Sequence, residues 1–219
     1  VNKDENRYYP VFLDLRGRLA VVVGGGNVAL RKVESLVRAG ARVRLVTPEN
    51  IPGMEEMPGV DLSPGRYSPD DLDGAFLVIA STDDEEVNRR VSADAHARQI
   101  FCNVVDVTDL CSFIVPSVLE MDPIRIAIST GGASPSLARR LRMDIGHFLG
   151  DEYARMANVL GRIRPFVIAQ PGGYEAHKRV FDILVNSDLL DALRDGDTEL
   201  ATDILRQALG DQVDLEGIL

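Results

Sequence analysis

Gly24, Gly26 and Ala29 stand at G-x-G-x-x-A spacing, directly after the apolar run Leu19 to Val23 and directly before a helical pattern. The first glycine lets a chain turn sharply out of a strand. The second lets backbone approach a pyrophosphate without a Cβ in the way, and the alanine keeps helix and strand close. Asn27 and Val28 open the helix, whose N-terminal amides would face the phosphates. Alone this spacing is weak, because tight turns also demand glycine. Its context is what informs: a strand before it, and after it an amphipathic helix carrying Ala29, Val33, Leu36, Val37 and a closing Gly40. The chemistry expected is dinucleotide binding.

A second buried run, Val43 to Val46, completes a β-turn-α-β unit. The acidic residue that usually ends this strand and holds the adenosine ribose is missing. Its place falls near Thr47, and the first carboxylate is Glu49, beyond Pro48. Ribose recognition is therefore open between Thr47, backbone and Glu49. Arg42 and Arg44 could receive a 2′-phosphate, but strand alternation more simply puts them on an edge or solvent side, which favours NAD over NADP.

Ligands of open α/β sheets bind beyond the carboxyl ends of the strands. Ala75 to Ala80 reads as a central strand covered on both faces, so Ser81 and Thr82 are expected on the cofactor side. Thr82 and Glu85 also have capping-box spacing, and a helix cap over about 83 to 98 is an equally good account of them. Ile100 to Asp106 is the next strand and its exit, placing Asn103 and Asp106 in the cleft near the nicotinamide end. Further on, Thr130, Gly131, Gly132, Ala133 and Ser134 precede a helix that begins at Pro135. A glycine pair before a helix start is a second place where free amides can meet an anion, with Arg139, Arg140 and Arg142 nearby.

These residues need elements to position them. Tyr9 to Leu13 is expected as a short edge segment, residues 50 to 59 as a loop, Val60 to Leu62 as a third strand and Ser68 to Leu72 as a short helix. Ser112 to Leu119 and Ile124 to Ser129 read as a hairpin, followed by a helix whose buried stripe is Leu137, Leu141, Ile145 and Phe148. From Asp151 onward three or four helices are expected, with breaks at Pro165, at 171 to 173, at 186 to 188 and at 195 to 197. The fold class is α/β, with a Rossmann-type parallel sheet over 1–110, a hairpin and helix region over 111–150 and a helical domain over 151–219.

Composition sets outer limits. A chain of 219 residues with 45% hydrophobic and 26% charged content suits one large or two small globular domains. A net charge of −10 argues against nucleic-acid and membrane-surface partners, and an anionic substrate would need a local arginine cluster. Cys102 and Cys111 lack metal-ligand spacing, His96, His147 and His177 are scattered, and no metal site is expected. No secretory signal or membrane-length apolar run is visible, so the cytoplasm is the expected compartment.

The segments VVVGGGNVALRK (21–32), AGARVRLVTPE (39–49), IASTDDEEVN (79–88), IFCNVVD (100–106), CSFIVPS (111–117) and STGGASPSLARRLR (129–142) occur in an order and spacing that resemble one family. It is precorrin-2 dehydrogenase, the dehydrogenase and chelatase module of siroheme synthase. The resemblance is strong over about the first 150 residues and looser over the helical tail. It implies NAD-dependent oxidation of precorrin-2 to sirohydrochlorin, and in some members insertion of ferrous iron into that product. It further implies a homodimer formed through the hairpin region, and an active site between the nucleotide domain and the rest. The methyltransferase half of fused siroheme synthases is expected to be absent. Asp106 matches the aspartate central to catalysis, Asn27, Val28, Pro48 and Glu49 match NAD contacts, and Thr130 matches a serine by the substrate site. The substrate's eight carboxylates give Arg139, Arg140 and Arg142 a use as well as Gly131, Gly132 and Ser134, although a solvated helix face competes as an account of the arginines. A nucleotide-sensing regulatory subunit is the alternative; it leaves Asp106 and the stretch from Gly131 to Arg142 without a purpose.

Overall fold

Five short runs dominated by β-branched and apolar residues pair into one parallel sheet: β1 (Leu19–Val23), β2 (Arg42–Thr47), β3 (Val60–Pro64), β4 (Ala75–Ala80) and β5 (Phe101–Val104), in the order β3-β2-β1-β4-β5. The computed structural model describes residues 8–48, 57–210 and 217–219. The chain divides into two compact units, the first running to Val115 and the second beginning at Pro116.

In the first unit the period-2 alternation of the strands feeds two apolar layers. Ala20, Val22, Val43, Leu45, Leu77 and Ile79 meet Ala29, Val33 and Leu36 of helix α1 (Asn27–Arg38) on one face. Val21, Val23, Val46, Val78, Cys102 and Val104 share the other layer with Val91 and Ala95 of α2 (Glu85–Ala97). Strand order reverses at β1, which has β2 on one side and β4 on the other, so the carboxyl ends of β1 and β4 form the switch point where such sheets bind ligands.

Two expectations for this unit need correction. Residues 9 to 13 form no strand: Tyr9 and Phe12 are exposed, and the edges of the sheet are β3 and β5. The first unit also continues past Leu110. Ser112 donates its backbone N–H to the Cys102 carbonyl at 2.8 Å and accepts the Cys102 N–H at Oγ at 2.7 Å, so residues 111 to 113 lie along β5 instead of starting the hairpin. The expected short helix is a 3₁₀ turn, Pro69–Leu72, capped by Ser68 and Asp71.

The second unit starts with the hairpin β6 (Ser117–Met121) and β7 (Ile124–Ile128), antiparallel with Met121 opposite Ile124. Helix α3 (Pro135–Phe148) packs on it through small residues: Ala138 is buried, and a Cβ on Gly146 would lie 3.3 Å from Leu119 Cδ1. The expected inner stripe is therefore not inner, because Leu137, Leu141 and Phe148 are exposed, Phe148 by 78%. Helices α4 (Asp151–Ala169), α5 (Gly173–Val185), α6 (Leu189–Asp195) and α7 (Thr198–Leu209) follow. Pro165 does not break α4. Met156, Val159, Ile163 and Val167 make a continuous buried stripe across it, and that packing outweighs the one hydrogen bond proline removes. No helix among the described residues is long and apolar enough to cross a membrane.

The exit of β1 is the tightest point of the sheet. Gly24 has φ +124, and a Cβ there would sit 2.5 Å from the Ser81 carbonyl oxygen. Gly24→Ala should cost at least about 1–3 kcal/mol through backbone strain and displacement of the β4 exit, read as a lowered urea midpoint together with weakened nucleotide binding. Ile163→Ala, at the centre of the helical core, should cost roughly 2–5 kcal/mol and leave nucleotide affinity unchanged. Melting curves followed with and without NAD separate these two effects.

Candidate nucleotide and catalytic site

The carboxyl edge of the sheet is laced by backbone. Gly24 N–H donates to the Val46 carbonyl at 2.9 Å and Ser81 N–H to the Val23 carbonyl at 2.8 Å, which joins the exits of β1, β2 and β4. Gly26 is the N-cap of α1, and no heavy atom lies within 4 Å of where its Cβ would be. No side chain caps this helix start, and its first turn carries no acidic residue. Asn27 and Val28 are exposed beside it. An open glycine in front of an uncompensated positive helix end suits a pyrophosphate, so the residues present fit a dinucleotide.

At the end of β2, Thr47 is buried and Pro48 exposed, while Glu49 lies outside the described residues. Arg44 donates from Nη1 to the Asp71 carbonyl at 2.7 Å, and Arg42 opens β2 at the amino end of the strand. Neither arginine is at the carboxyl end, where a 2′-phosphate would lie.

The loop after β4 is held by a residue that sequence reasoning missed. Asn88, buried on the inner side of α2, accepts from Thr82 Oγ1 at 2.9 Å and donates to the Thr82 carbonyl at 2.9 Å. A polar side chain within the apolar stripe of a helix was the available signal. The N-cap of α2 is Asp84, accepting from Glu86 and Val87, and not Thr82 as the capping-box spacing suggested. Asparagine's two-sided amide holds Thr82, so the cap passes to the next short acceptor. Ser81 Oγ donates to the Val23 carbonyl at 3.4 Å.

Beyond β5 the chain is clamped from both sides of Asp106. Val105 N–H donates to the Ala80 carbonyl at 2.9 Å. Cys111 Sγ accepts from Val104 N–H at 3.1 Å and reaches the Val104 and Val107 carbonyls. Asn103, also buried, donates from Nδ2 to the Phe113 carbonyl at 3.0 Å, and Phe113 meets Phe101 edge-on. Burial pushes the Cys102 thiol up to about 11, with Cys111 acting in the same direction, so Cys102 stays a protonated packing group. Between these ties Asp106 takes φ +62, a left-handed conformation that Asp tolerates better than most residues, and its side chain is exposed at the carboxyl edge. Lys32, half-buried on α1, is a second residue missed by sequence reasoning. Burial lowers its ammonium below the ordinary lysine value, and the Asp106 carboxylate opposes that shift.

In the second unit, the loop before α3 is closed by Thr130, whose Oγ1 accepts from Ser134 N–H and donates to the Ser134 carbonyl, both at 3.0 Å. Ser134 caps α3 by accepting from Leu137 N–H at 3.2 Å. Gly131 and Gly132, both with positive φ, are exposed in this loop. Arg139 is exposed on the first turns of α3, whereas Arg140 is paired with Asp144 at 2.8 Å.

Comparison with known proteins finds relatives that share these features. A family model described as "Putative NAD(P)-binding" matches residues 11–117, and one described as "Sirohaem biosynthesis protein central" matches residues 122–147. The chain is 38% identical over 197 residues to a siroheme synthase of Chromobacterium violaceum, covering 89% of this chain and 42% of that protein. It is 40% identical over 205 residues to one of Thioalkalivibrio sulfidiphilus, covering 92% and 42% respectively. The chain thus spans less than half the length of the siroheme synthases it matches. In fold it is similar to the solved structure of "SirC, precorrin-2 dehydrogenase", with a TM-score of 0.77 at 22% identity over 92% of this chain and 98% of that one. From its glycine turn through the hairpin and α3, the chain is similar to part of these siroheme synthases, with the match to the NAD(P)-binding model followed in order by the match to the sirohaem biosynthesis model.

Proposed function

We propose that this chain oxidises precorrin-2 to sirohydrochlorin with NAD, a step of siroheme biosynthesis. The observation that carries the reading is the exposed Asp106, presented in a left-handed turn at the same carboxyl edge of the sheet as the open glycine of α1. The substrate loses two hydrogens. NAD, when bound, supplies the acceptor for the one that leaves as hydride. Asp106 takes the other as a proton, for which an exposed carboxylate is suited.

Gly24, Gly26, Asn27 and Val28 are assigned to the pyrophosphate, with Thr47, Pro48 and Glu49 at the adenosine ribose. Ser81, Thr82 and Asn103 shape the cofactor side by holding its loops. NAD is preferred over NADP because Arg44 is engaged by the Asp71 carbonyl and Arg42 sits at the far end of β2. Thr130, Gly131, Gly132, Ser134 and Arg139 are assigned to the substrate's carboxylates. Arg140 is left out because Asp144 already pairs with it. Ferrous iron is a further substrate if the chain also metallates sirohydrochlorin, since removal of two pyrrole protons needs the same kind of base. The compartment in this reading is the cytoplasm, where a thiol such as that of the buried Cys102 stays reduced.

The chain acts as a homodimer in this reading, supported by the exposed Leu137, Leu141 and Phe148 on α3, an apolar row that a second copy would cover. Light scattering should give a dimer mass for the full chain and a shift toward monomer for Leu141→Glu; a monomeric wild type would refute the dimer.

An anaerobic assay with enzymatically generated precorrin-2 and NAD tests the activity. NADH and sirohydrochlorin should appear together, and Asp106→Asn should lower the rate by about 10²–10⁴-fold while NAD still binds. NAD binding without any turnover would favour the regulatory subunit. Ferrous ion added afterwards should speed loss of the sirohydrochlorin spectrum over a protein-free control if the chain is also a chelatase.

A further inference from the structure

Asp106 takes the third place of a turn from Val104 to Val107, closed by the Val107 N–H on the Val104 carbonyl at 3.3 Å. A turn with positive φ at this place ordinarily carries glycine or asparagine, and aspartate at φ +62 holds it at a cost in free energy. The Cys111 thiol supplies the hold. Its Sγ accepts from the Val104 N–H at 3.1 Å and from Asn103 Nδ2 at 3.6 Å, and it reaches the Val104 carbonyl at 3.2 Å and the Val107 carbonyl at 3.3 Å as a donor. One sulfur thus touches both ends of the turn that presents Asp106. The 3₁₀ turn Thr108–Leu110 brings Cys111 back there, with Leu110 N–H on the Val107 carbonyl at 3.2 Å and Cys111 N–H on the Thr108 carbonyl at 3.1 Å. Ser112, locked on Cys102, anchors the far side. The Asp106 side chain itself is exposed and forms no ion pair among the described residues, so its position follows from its backbone.

We propose that Cys111 is a positioning residue for Asp106: its thiol pins both ends of the turn and thereby fixes where the carboxylate stands when it takes the proton. This inference rests on Asp106 being the base. A thiol suits the task because one group can accept from the Val104 N–H and donate to a carbonyl at the same time. A base must lie within hydrogen-bond reach of the proton it removes, and a small misplacement lowers the rate without weakening the binding of substrate or cofactor. Holding the turn through a neighbour leaves the carboxylate oxygens free, whereas a direct ion pair would tie up the lone pairs that receive the proton.

The test uses the full chain with NAD and precorrin-2, and four variants: Cys111→Val, Cys111→Ser, Asp106→Asn and the double Cys111→Val/Asp106→Asn. Valine fills the space of the thiol but can neither donate nor accept, whereas serine is smaller and keeps both capacities. Cys111→Val should lower kcat by about tenfold or more, with KM for precorrin-2 and the NAD dissociation constant within about twofold of wild type. Cys111→Ser should stay within about threefold of the wild-type rate. In the Asp106→Asn background Cys111→Val should cost nothing further, because a residue that acts through Asp106 has nothing left to act on. If Cys111→Val melts below the assay temperature, Cys111→Ala, which needs less room, takes its place under the same criteria. The reverse order, with valine active and serine impaired, would overturn the proposal in favour of packing. Unchanged kcat in both single variants would overturn it too, as would a KM or NAD dissociation constant that moves with kcat, or losses that multiply in the double variant. Should Asp106→Asn alone retain wild-type turnover, the assignment of the base falls and that of Cys111 with it, an outcome visible in that single variant before Cys111 is touched.

Discussion

The backbone crossing at Gly24 is the constraint on which the first unit depends. There the exits of β1, β2 and β4 are drawn together by the hydrogen bonds of Gly24 to Val46 and of Ser81 to Val23, with a gap too narrow for a Cβ. This contact aims the start of α1 at the switch point of the sheet. It also fixes where Ser81 and Thr82 emerge, and Asn88 keeps them there by bonding both the hydroxyl and the carbonyl of Thr82. Gly26, two residues on, has the opposite property: open space in front of it. One glycine is needed because protein is too close; the other leaves the helix start open.

The second half of the site depends on a strap, not on a strand. Asp106 lies outside regular structure in a backbone conformation that costs free energy, and such residues persist only where their surroundings over-determine them. Here the surroundings are the Cys111 sulfur on Val104, the Ser112 pairing with Cys102, the Asn103 amide on Phe113 and the edge-on aromatic contact of Phe113 with Phe101. These contacts are short-range along the chain, and they tie the turn down without a further layer of core over it. The Cys102 thiol, raised by burial, contributes packing and no reactivity.

The second unit keeps its buried core apart from an exposed apolar row. Its buried residues concentrate in α4 to α7, around Ile163, Leu184, Leu189 and Leu205. Its large exposed apolar side chains include the row on α3, the helix that follows the Thr130–Ser134 loop. Small residues, Ala138 and Gly146, bring α3 onto the hairpin, and its leucines and Phe148 are left facing outward. An apolar row that does not serve the core of its own chain is a surface with affinity to spare.

Much of this was legible in the chain alone, for definite reasons. The parallel sheet, the glycine turn, α1 and the start of α3 follow from local rules: alternation, the positions of Gly24 and Gly26, and the Ser134-Pro135 cap. What sequence alone did not determine depends on partners distant along the chain. A capping spacing pointed to Thr82, but Asn88 captured it and Asp84 became the cap. A proline predicted a break, but the core stripe of α4 carried the helix through. An apolar period predicted a buried face on α3, and periodicity cannot say whether the partner covering that face belongs to the same chain.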